Sequence, residues 1–570
     1  MNNLAGVIHK SDFPYVSIIS KDTIEVRIQT PKSKIKSVVV GYNDPYDYNK
    51  FDWVEFTKEM NLVQTDDFYD WWIAQITVDV RRFQYNFKLT TTDNQLLYFT
   101  EAGLDTDFEI KYQFNLPFSH TSEIFTYPSW VDEAIWYQIY PDRFATTNHE
   151  HLSKWHYGDV KNHEIYGGNF QGVISKLDYL QRLGINAIYF TPIFKADTSH
   201  KYDTVDYFQI DPQFGTEADF QELITKAHAC GIKIMLDGVF NHTSKKHPHF
   251  IDVMNNRESS VYKDWYHIRD YDKLDEIGTK HFKEIMAYDS FAYVDNMPKL
   301  NTQNPEVIDY IFKAVTKWTK MGIDGWRLDV ANEVDHKFWK LFKEHVTQLN
   351  PDIYIVGEIW HDSMTWLRGD EFHAVMNYKY TNSIIDYFFR QHISIDQFKN
   401  RIVRASMENI TAVNKAAFNI VDSHDTVRVA NLCEFDINRQ KLGTVFLLTQ
   451  NGTPCIYYGT EIGLTGNQDP DNRRLMKWDE NEWNQDLFGF YQNIIKARKE
   501  HPVLGNAGEF KFDQSADYCR YYKYNDQSTY EITLNTSSNA IKVKPNEVIL
   551  SEGLTDNVLG PNGYLINKIK

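Results

Sequence analysis

The first 122 residues alternate apolar and polar positions over short runs, with turn residues between the runs. YVSIIS (Tyr15 to Ser20) and TIEVRIQT (Thr23 to Thr30) are two examples. This period of two, with little helical spacing, predicts an antiparallel β-sandwich over residues 1–122. Its tryptophans Trp53, Trp71 and Trp72 favour a core or an interface, because aromatic residues are enriched in both, with sugar stacking as the alternative.

Between residues 123 and 501 apolar strand-like runs alternate with helical stretches. INAIYF (Ile185 to Phe190) and IKIMLD (Ile232 to Asp237) are two of eight such runs. Strands joined by crossover helices form parallel sheets, so eight of them predict an α/β fold, the (β/α)8 TIM barrel. An irregular, aromatic-rich insertion at about 243–301 predicts a lid or small subdomain. Residues 502–570 return to short alternating runs, which predicts a small C-terminal β-sandwich.

Polar residues gather at the carboxyl ends of the predicted barrel strands, where such barrels carry their chemistry. Arg327 and Asp329 are two positions apart on one strand, so their side chains share a face. A cation beside a carboxylate favours the ionised form, which a carboxylate nucleophile requires. A structural Arg–Asp pair at a strand end is the alternative. The other polar residues at these strand ends are Arg143, Asn241, His242, Glu358, His424 and Asp425.

Two further carboxylates make catalysis the favoured interpretation. Glu358 lies between apolar residues and Trp360, an environment that suits a general acid because burial favours the protonated form. Asp425 follows His424 at the end of another strand. Carboxylates in two different protonation states are what glycosidic-bond cleavage requires. For any one of them alone, a satisfied structural carboxylate is the alternative.

Composition and charge exclude several classes of function. The 570 residues carry a formal net charge of −18, which argues against a nucleic-acid partner. Four cysteines lie far apart without a CxxC pair, so they indicate a reducing compartment rather than a disulfide framework or a zinc site. The N-terminus lacks the apolar core of a signal peptide, and no apolar run reaches about 18 residues. We therefore expect a cytoplasmic protein without a membrane partner.

Four ordered segments carry a resemblance to a known family. They are DGVFNH (Asp237 to His242), GWRLDVANE (Gly325 to Glu333), GEIW (Gly357 to Trp360) and VDSHDT (Val421 to Thr426). Together they resemble the signature regions of the α-amylase family of glycoside hydrolases. MPKLN (Met297 to Asn301) and VANE (Val330 to Glu333) resemble the narrower cyclomaltodextrinase–neopullulanase–maltogenic amylase subgroup, which also has an extra N-terminal β-domain. The resemblance covers essentially the whole chain.

The resemblance implies a role for each matching residue. Asp329 would be the nucleophile, Glu358 the acid and base, and Asp425 the carboxylate that stabilises an oxocarbenium-like transition state. The resemblance further implies that the Tyr202 ring stacks on the sugar and that Arg327, His242 and His424 hold the sugar by polar contacts. Asp469 and Arg473 would close the non-reducing end of the site, and Glu333, Trp360 and Tyr378 would form its acceptor side. An aromatic residue near a strand end belongs to the core about as often as to a binding site, so a core role is the alternative for Trp360 and Tyr378.

The resemblance also bears on metals. Many relatives bind calcium through an acidic loop after the first barrel strand and a GGD segment, whereas this chain reads FATTNHEHL (Phe144 to Leu152) and GGN (Gly167 to Asn169). Calcium takes about six oxygen ligands, and Asn241 alone could not hold it. We therefore expect neither a metal nor another cofactor.

Partners and substrates follow from the same resemblance. It implies cleavage of α-1,4 bonds, and also of α-1,6 bonds, in cyclodextrins, maltodextrins and pullulan, with transglycosylation. It further implies a homodimer in which residues 1–122 reach the partner's active site. The alternatives are an α-glucosidase or oligo-1,6-glucosidase of the same fold and a catalytically inactive amylase-like sugar-binding protein.

Overall fold

A computed structural model of the chain describes residues 4, 6–148, 155, 158–275 and 287–570. The N-terminal strands form two antiparallel sheets, one of four strands and one of six. Apolar side chains from both sheets, among them Val26, Val38 and Phe87, form one buried core, as the alternating pattern requires. The strands of these sheets are Val16–Ser20, Thr23–Pro31, Ile35–Asn43, Phe56–Glu59, Asn61–Thr65, Tyr69–Thr77, Phe83–Thr91, Leu96–Thr100, Gly103–Asp105 and Phe114–Leu116.

The N-terminal tryptophans are mostly structural. Trp71 and Trp72 are each only 5% exposed, and Trp72 Nε1 donates to Thr30 Oγ1 at 2.9 Å. Trp53 is partly buried, with its Nε1 donating to Asp44 O at 2.8 Å. The core interpretation is therefore confirmed for Trp71 and Trp72, and neither ring is available at a dimer surface.

The two most exposed aromatic residues of the domain lie around a small hairpin of Tyr48–Asn49 and Asp52–Trp53. Phe51, in its turn, is 95% exposed, and Tyr46, just before it, is 75% exposed. The hairpin, to which Trp53 belongs, thus exposes more aromatic surface than buried Trp71 and Trp72.

The predicted barrel is confirmed. Eight parallel strands form one sheet, and a parallel bridge between Met376 and Phe418 joins the sixth strand to the seventh and closes it. Trp136, Tyr189 and Tyr354 belong to a separate buried cluster that fills the interior, as side-chain layers do in such barrels. In chain order the strands are Trp136–Ile139, Ala187–Phe190, Lys233–Gly238, Gly325–Leu328, Tyr354–Gly357, Ala374–Val375, Phe418–Asn419 and Thr453–Tyr457.

Local sequence signals mark the beginning and the end of the helix Pro305–Lys320, which precedes the fourth strand. Asn304 caps it by accepting from Glu306 N, Pro305 occupies its first position, and it ends at Lys320 before Gly322, whose φ of +105° favours glycine. The other helices of this domain are Pro141–Phe144, Phe170–Ile174, Leu177–Leu183, Glu217–Ala229, Pro248–Asn256, His336–Leu349, Tyr378–Ile384, Ile385–Phe389 (a π-helix), Ile395–Met407, Thr411–Ala416, Val429–Leu432, Ile437–Leu448 and Gln485–Glu500.

The insertion and the C-terminal region complete the chain. Isolated bridges between His242 and Lys299 and between Tyr266 and Leu300 tie the insertion to the barrel, and its residues 276–286 lie outside the described residues. The C-terminal strands form a six-stranded antiparallel sheet. Within the described ranges, no helix is both long and apolar enough to cross a membrane. The C-terminal strands are Glu509–Phe512, Cys519–Tyr524, Thr529–Leu534, Ile541–Lys542, Glu547–Thr555 and Val558–Lys568.

Candidate active site

Arg327, on the fourth barrel strand, is fully buried at the centre of a cluster of carboxylates. Its Nη1 donates to Asp329 Oδ1 at 2.8 Å and to both carboxylate oxygens of Asp237 at 3.0 Å. Its Nη2 lies 2.9 Å from Glu358 Oε2. The third, fourth and fifth strands are neighbours in the barrel, which brings all three carboxylates to one guanidinium. The predicted Arg327–Asp329 pair is present, but it is part of a larger cluster.

Asp237 is a residue of this cluster that the sequence did not single out. It accepts the Tyr189 hydroxyl at 2.7 Å and the Tyr202 hydroxyl at 3.0 Å, both on Oδ2. Burial raises the pKa of Asp237 to about 6, against the opposing effect of Arg327. Asp237 is paired with Arg327 in the register of two neighbouring strands. The pairing of these two strands is what identifies Asp237 as a site residue, and the sequence of one strand does not contain that information.

Asp329 is less readily ionised than the sequence predicted. Burial raises the pKa of Asp329 well above its usual value, Arg327 lowers it, and the nearby Glu358 and Asp237 raise it again. The sequence argument included only the arginine. Because one guanidinium faces three carboxyl groups, the cluster tends to retain a proton.

Glu358, at the end of the fifth strand, is held by polar donors. Its Oε1 accepts from Trp360 Nε1 at 2.9 Å, and its Oε2 accepts from Val330 N at 3.0 Å. Glu358 is buried beside the Trp360 indole, as its sequence neighbours indicated, but its carboxylate oxygens contact polar donors and not apolar side chains alone. Successive side chains on a strand face opposite sides, so neighbours in sequence do not define the surroundings of a side chain.

Val330, which follows Asp329, has a strained backbone. Its φ of 46° and ψ of 44° lie in the left-handed region, where a β-branched residue is an outlier that costs about 1–3 kcal/mol. This conformation directs its N–H to Glu358, while Ala331 N donates to Glu358 O at 3.2 Å. The strained turn thus connects the end of the strand that carries Asp329 to the carboxylate of the next strand.

His424 connects three polar residues at the opposite side of the cluster. Its Nδ1 lies 2.7 Å from Gln138 Nε2, and its Nε2 lies 2.6 Å from the Tyr202 hydroxyl and 3.1 Å from Asp425 Oδ2. The Tyr202 and His424 rings are parallel, with centroids 5.4 Å apart. Burial and two nearby arginines lower the pKa of His424 well below its usual value, so its imidazole is neutral. Gln138 was missed because an amide on a buried strand gives no sequence signal.

Asp425 faces the opening, since its side chain is 30% exposed. Burial in the cleft nevertheless raises the pKa of Asp425, while Arg327 and Arg473 lower it. Arg473 Nη2 lies 3.6 Å from Asp425 Oδ1, and Arg473 Nη1 lies 2.9 Å from Asp469 Oδ1. The predicted pair Asp469–Arg473 is therefore formed, and it lies directly beside Asp425.

The other predicted contacts lie on the side of Glu358. Trp360 stacks on Tyr378 with centroids 3.6 Å apart and an interplanar angle of 10°. Trp360 remains 48% exposed whereas Tyr378 is buried, so only Trp360 offers a wide surface to a ligand. Glu333 is exposed, and its Oε2 lies 3.4 Å from Lys299 Nζ. The core alternative therefore fits Tyr378, and Trp360 forms part of the open cleft.

His242 closes the base of the insertion. Its Nε2 lies 3.1 Å from Tyr202 O, and its ring is nearly parallel to that of Phe291 at 5.3 Å. Burial lowers the pKa of His242 to about 3, so it also is neutral. Phe291 belongs to the insertion and was not among the predicted site residues, since an aromatic residue in an irregular segment has no distinctive spacing.

Two residues at the positions where the resembling family binds calcium already have hydrogen-bond partners here. Asn241 Oδ1 accepts from Lys299 Nζ, so an ammonium group already occupies this amide oxygen. Asn169 Oδ1 accepts from Gly172 N and caps a helix. Among the described residues, no three His, Cys, Asp or Glu side chains form a group that could hold a metal ion. Residues 149–152 of the FATTNHEHL segment lie outside the described residues.

Comparisons with known proteins agree over most of the chain. A family model described as the alpha amylase catalytic domain matches residues 138–502, and one described as the alpha amylase N-terminal ig-like domain matches residues 1–120. The maltogenic alpha-amylase of Bacillus acidopullulyticus is 40% identical over 549 residues, which cover 94% of this chain and 92% of that relative. Neopullulanase 2 of Thermoactinomyces vulgaris is 39% identical over 540 residues, covering 93% and 91%.

A solved structure of a cyclomaltodextrinase is similar along its whole length. It superposes with a TM-score of 0.88 at 37% identity, and the match covers 99% of this chain and 97% of that chain. The sequence matches and the structural match therefore include the N-terminal domain as well as the barrel. The chain belongs to the α-amylase family of glycoside hydrolases.

Proposed function

We propose that this protein is a retaining α-glycoside hydrolase that uses Asp329 as nucleophile and Glu358 as general acid and base. The observation that carries the proposal is the Arg327 guanidinium, which contacts Asp329 at 2.8 Å and Glu358 at 2.9 Å. One guanidinium that contacts both carboxyl groups keeps them close. Retaining enzymes need a separation of about 5–5.5 Å, whereas inverting enzymes need roughly 6.5–9.5 Å to admit a water.

The proposed reaction has two steps. Arg327 holds Asp329 Oδ1, which leaves Oδ2 to attack the anomeric carbon while Glu358 donates its proton to the departing glycosidic oxygen. Glu358 then removes a proton from a water that attacks the same carbon and releases Asp329, which restores the α configuration. The cluster around Arg327 tends to retain one proton, and the mechanism requires that proton on Glu358. The direct hydrogen bond from Arg327 favours the ionised form of Asp329.

The surrounding residues would hold the sugar next to Asp329. Asp425, the most exposed of the three proposed catalytic carboxylates, is placed to bind sugar hydroxyls and to stabilise positive charge in the transition state. Neutral His242 and His424 can donate or accept hydrogen bonds without adding charge. We assign the remaining sugar contacts to the Tyr202 ring, to the Asp469–Arg473 pair at the non-reducing end, and to Glu333 and Trp360 at the acceptor side, where buried Tyr378 supports the Trp360 ring.

We infer that the substrates are cyclodextrins, maltodextrins and pullulan. The names of three relatives, maltogenic alpha-amylase, cyclomaltodextrinase and neopullulanase, support this class. The test is chromatography of products from γ-cyclodextrin, pullulan and soluble starch, with Asp329→Asn as the inactive control. Hydrolysis of panose and isomaltose but not of γ-cyclodextrin would instead favour an α-glucosidase or oligo-1,6-glucosidase. Binding without hydrolysis in the unsubstituted chain would favour the inactive sugar-binding alternative.

We further infer a homodimer in which the N-terminal domain contributes to the partner's cleft. The exposed hairpin with Phe51 and Tyr46 supports this, because large exposed aromatic side chains are typical of interface centres. A cytoplasmic location is supported by the relative named intracellular maltogenic amylase in Bacillus subtilis. Metal-independent activity is supported by Lys299, whose ammonium occupies Asn241 Oδ1.

A further inference from the structure

A second cleft lies between the insertion and the first turns of the helix Pro305–Lys320. We name it the His249 cleft. Its volume is about 410 Å3, within the usual range of ligand pockets. None of its residues belongs to the Arg327 cluster. The residues that line it are His249, Tyr262, Trp265, Pro305, Glu306, Asp309, Tyr310 and Lys313.

Four rings of the His249 cleft contact one another and form its surface. His249 stacks on Tyr262 with centroids 4.1 Å apart and an interplanar angle of 23°. Trp265 lies 4.4 Å from His249 and 5.3 Å from Tyr310. Trp265 is buried beneath the other three rings, which are partly exposed. A fixed aromatic surface of this kind suits the apolar face of a pyranose, since little side-chain freedom is lost on binding.

The charged groups at the cleft already have partners. Glu306 Oε2 accepts from Trp265 Nε1 at 2.9 Å, and Asp309 Oδ2 lies 2.5 Å from Lys313 Nζ. Burial lowers the pKa of His249, so this ring is neutral as well. Lys313 offsets the charge of Asp309, whereas Glu306 keeps its negative charge because an indole N–H is a neutral donor. A neutral ligand with hydroxyl groups can donate hydrogen bonds to the second carboxylate oxygens of Glu306 and Asp309, because both residues are exposed.

The cleft is connected to the acceptor side of the active site through one segment. Asn301 N donates to Trp265 O at 2.7 Å, and Tyr266 is bridged to Leu300. Two residues before Asn301, Lys299 reaches Glu333. We propose that the His249 cleft is a second binding site for α-glucan chains, which holds the neutral chain outside the catalytic centre. The choice of ligand rests on the proposed function.

The test compares Asp329→Asn with the same protein carrying Tyr262→Ala and Tyr310→Ala. Titration calorimetry with maltoheptaose should give two classes of sites in the first protein and only one in the second.

In the otherwise unsubstituted enzyme, the two tyrosine changes should raise KM for long maltodextrin by about fivefold or more, because two ring contacts are lost. The rate on p-nitrophenyl α-maltoside should stay within twofold. Tyr518→Ala, at a partly buried tyrosine that immediately precedes the C-terminal strand Cys519–Tyr524, is the matched control.

Tyr262→Phe is the second variant, because it keeps the ring and should retain both classes of sites. Unchanged calorimetry in the variant with both Tyr262→Ala and Tyr310→Ala would refute the second glucan site, as would a maltoheptaose-soaked crystal with sugar only near Asp329. Binding of tetramethylammonium but not of maltoheptaose would refute it too, in favour of a cation site. Sugar bound in the cleft of a chain that hydrolyses no glucan would refute the proposed function alone. Hydrolysis of glucans by a chain that binds no sugar in the His249 cleft would refute the second glucan site alone.

Discussion

Removal of the central cation is the sharpest test of the carboxylate cluster. In Arg327→Met, Asp237, Asp329 and Glu358 lose the guanidinium that lies within 3.0 Å of each. Removing one partner of a buried ion pair costs about 3–5 kcal/mol, because the remaining charge stays desolvated. We expect a loss of stability of that size and a fall in kcat/KM of more than about a thousandfold, since the nucleophile loses both its orientation and its ionised state.

The pH dependence of Arg327→Met has a definite sign. Arg327 lowers the pKa values of Asp237 and Asp329, so the substitution raises both further above the unfolded value of 3.8. Folding of the variant then takes up protons. Stability contributed by these groups is present below about pH 4 and is lost as the pH rises through the folded pKa values. The stability deficit relative to the unsubstituted protein should therefore shrink as the pH is lowered from 8 toward 5.

Calorimetric unfolding midpoints from pH 5 to 8, together with initial rates, measure both effects. Arg368→Met is the matched control, because Arg368 lies 3.2 Å from Asp12 on the surface and an exposed pair contributes about 0–1 kcal/mol. The reasoning is refuted if Arg327→Met unfolds at the same temperature as Arg368→Met, or if its deficit grows toward low pH.

Four further outcomes are expected. Asp329→Asn should lower kcat by several orders of magnitude while the protein stays folded, and a glycosyl adduct trapped on another residue by mass spectrometry would contradict the assignment of Asp329 as nucleophile. Trp360→Phe keeps the stack on Tyr378 but removes the donor to Glu358 Oε1, so kcat should fall about tenfold in initial-rate assays, and an unchanged kcat would remove this role. Exhaustive EDTA treatment should leave activity and melting temperature nearly unchanged, whereas a loss restored by calcium would disprove metal independence. Phe51→Asp should lower the molecular mass measured by light scattering toward that of a monomer and should reduce the rate on γ-cyclodextrin. A dimer of unchanged stability would exclude the hairpin from the interface.

The sequence by itself determined the architecture and much of the site. Period-two alternation marked the N-terminal strands, and the alternation of apolar runs with helical stretches marked the barrel, because both patterns are local and repeat many times. Arg327, Asp329, Glu358 and Asp425 were identifiable because a barrel collects chemistry at its strand ends wherever those ends lie in the sequence. The pair Asp469–Arg473 followed from the family resemblance and is formed at 2.9 Å.

Only the tertiary structure decided which residues share an environment. Asp237 joins Arg327 through the register of two strands separated by an 86-residue connection between Gly238 and Gly325, and Gln138 on the first strand contacts His424, which follows the seventh strand. The raised pKa of Asp329 depends on burial and on carboxylates from neighbouring strands, which an adjacent arginine in the sequence cannot reveal. The left-handed turn at Val330 likewise contradicts local preference and is maintained by its surroundings. Local pattern specifies elements because it repeats along one segment, whereas a site depends on distances between segments, and those are fixed only when the chain packs.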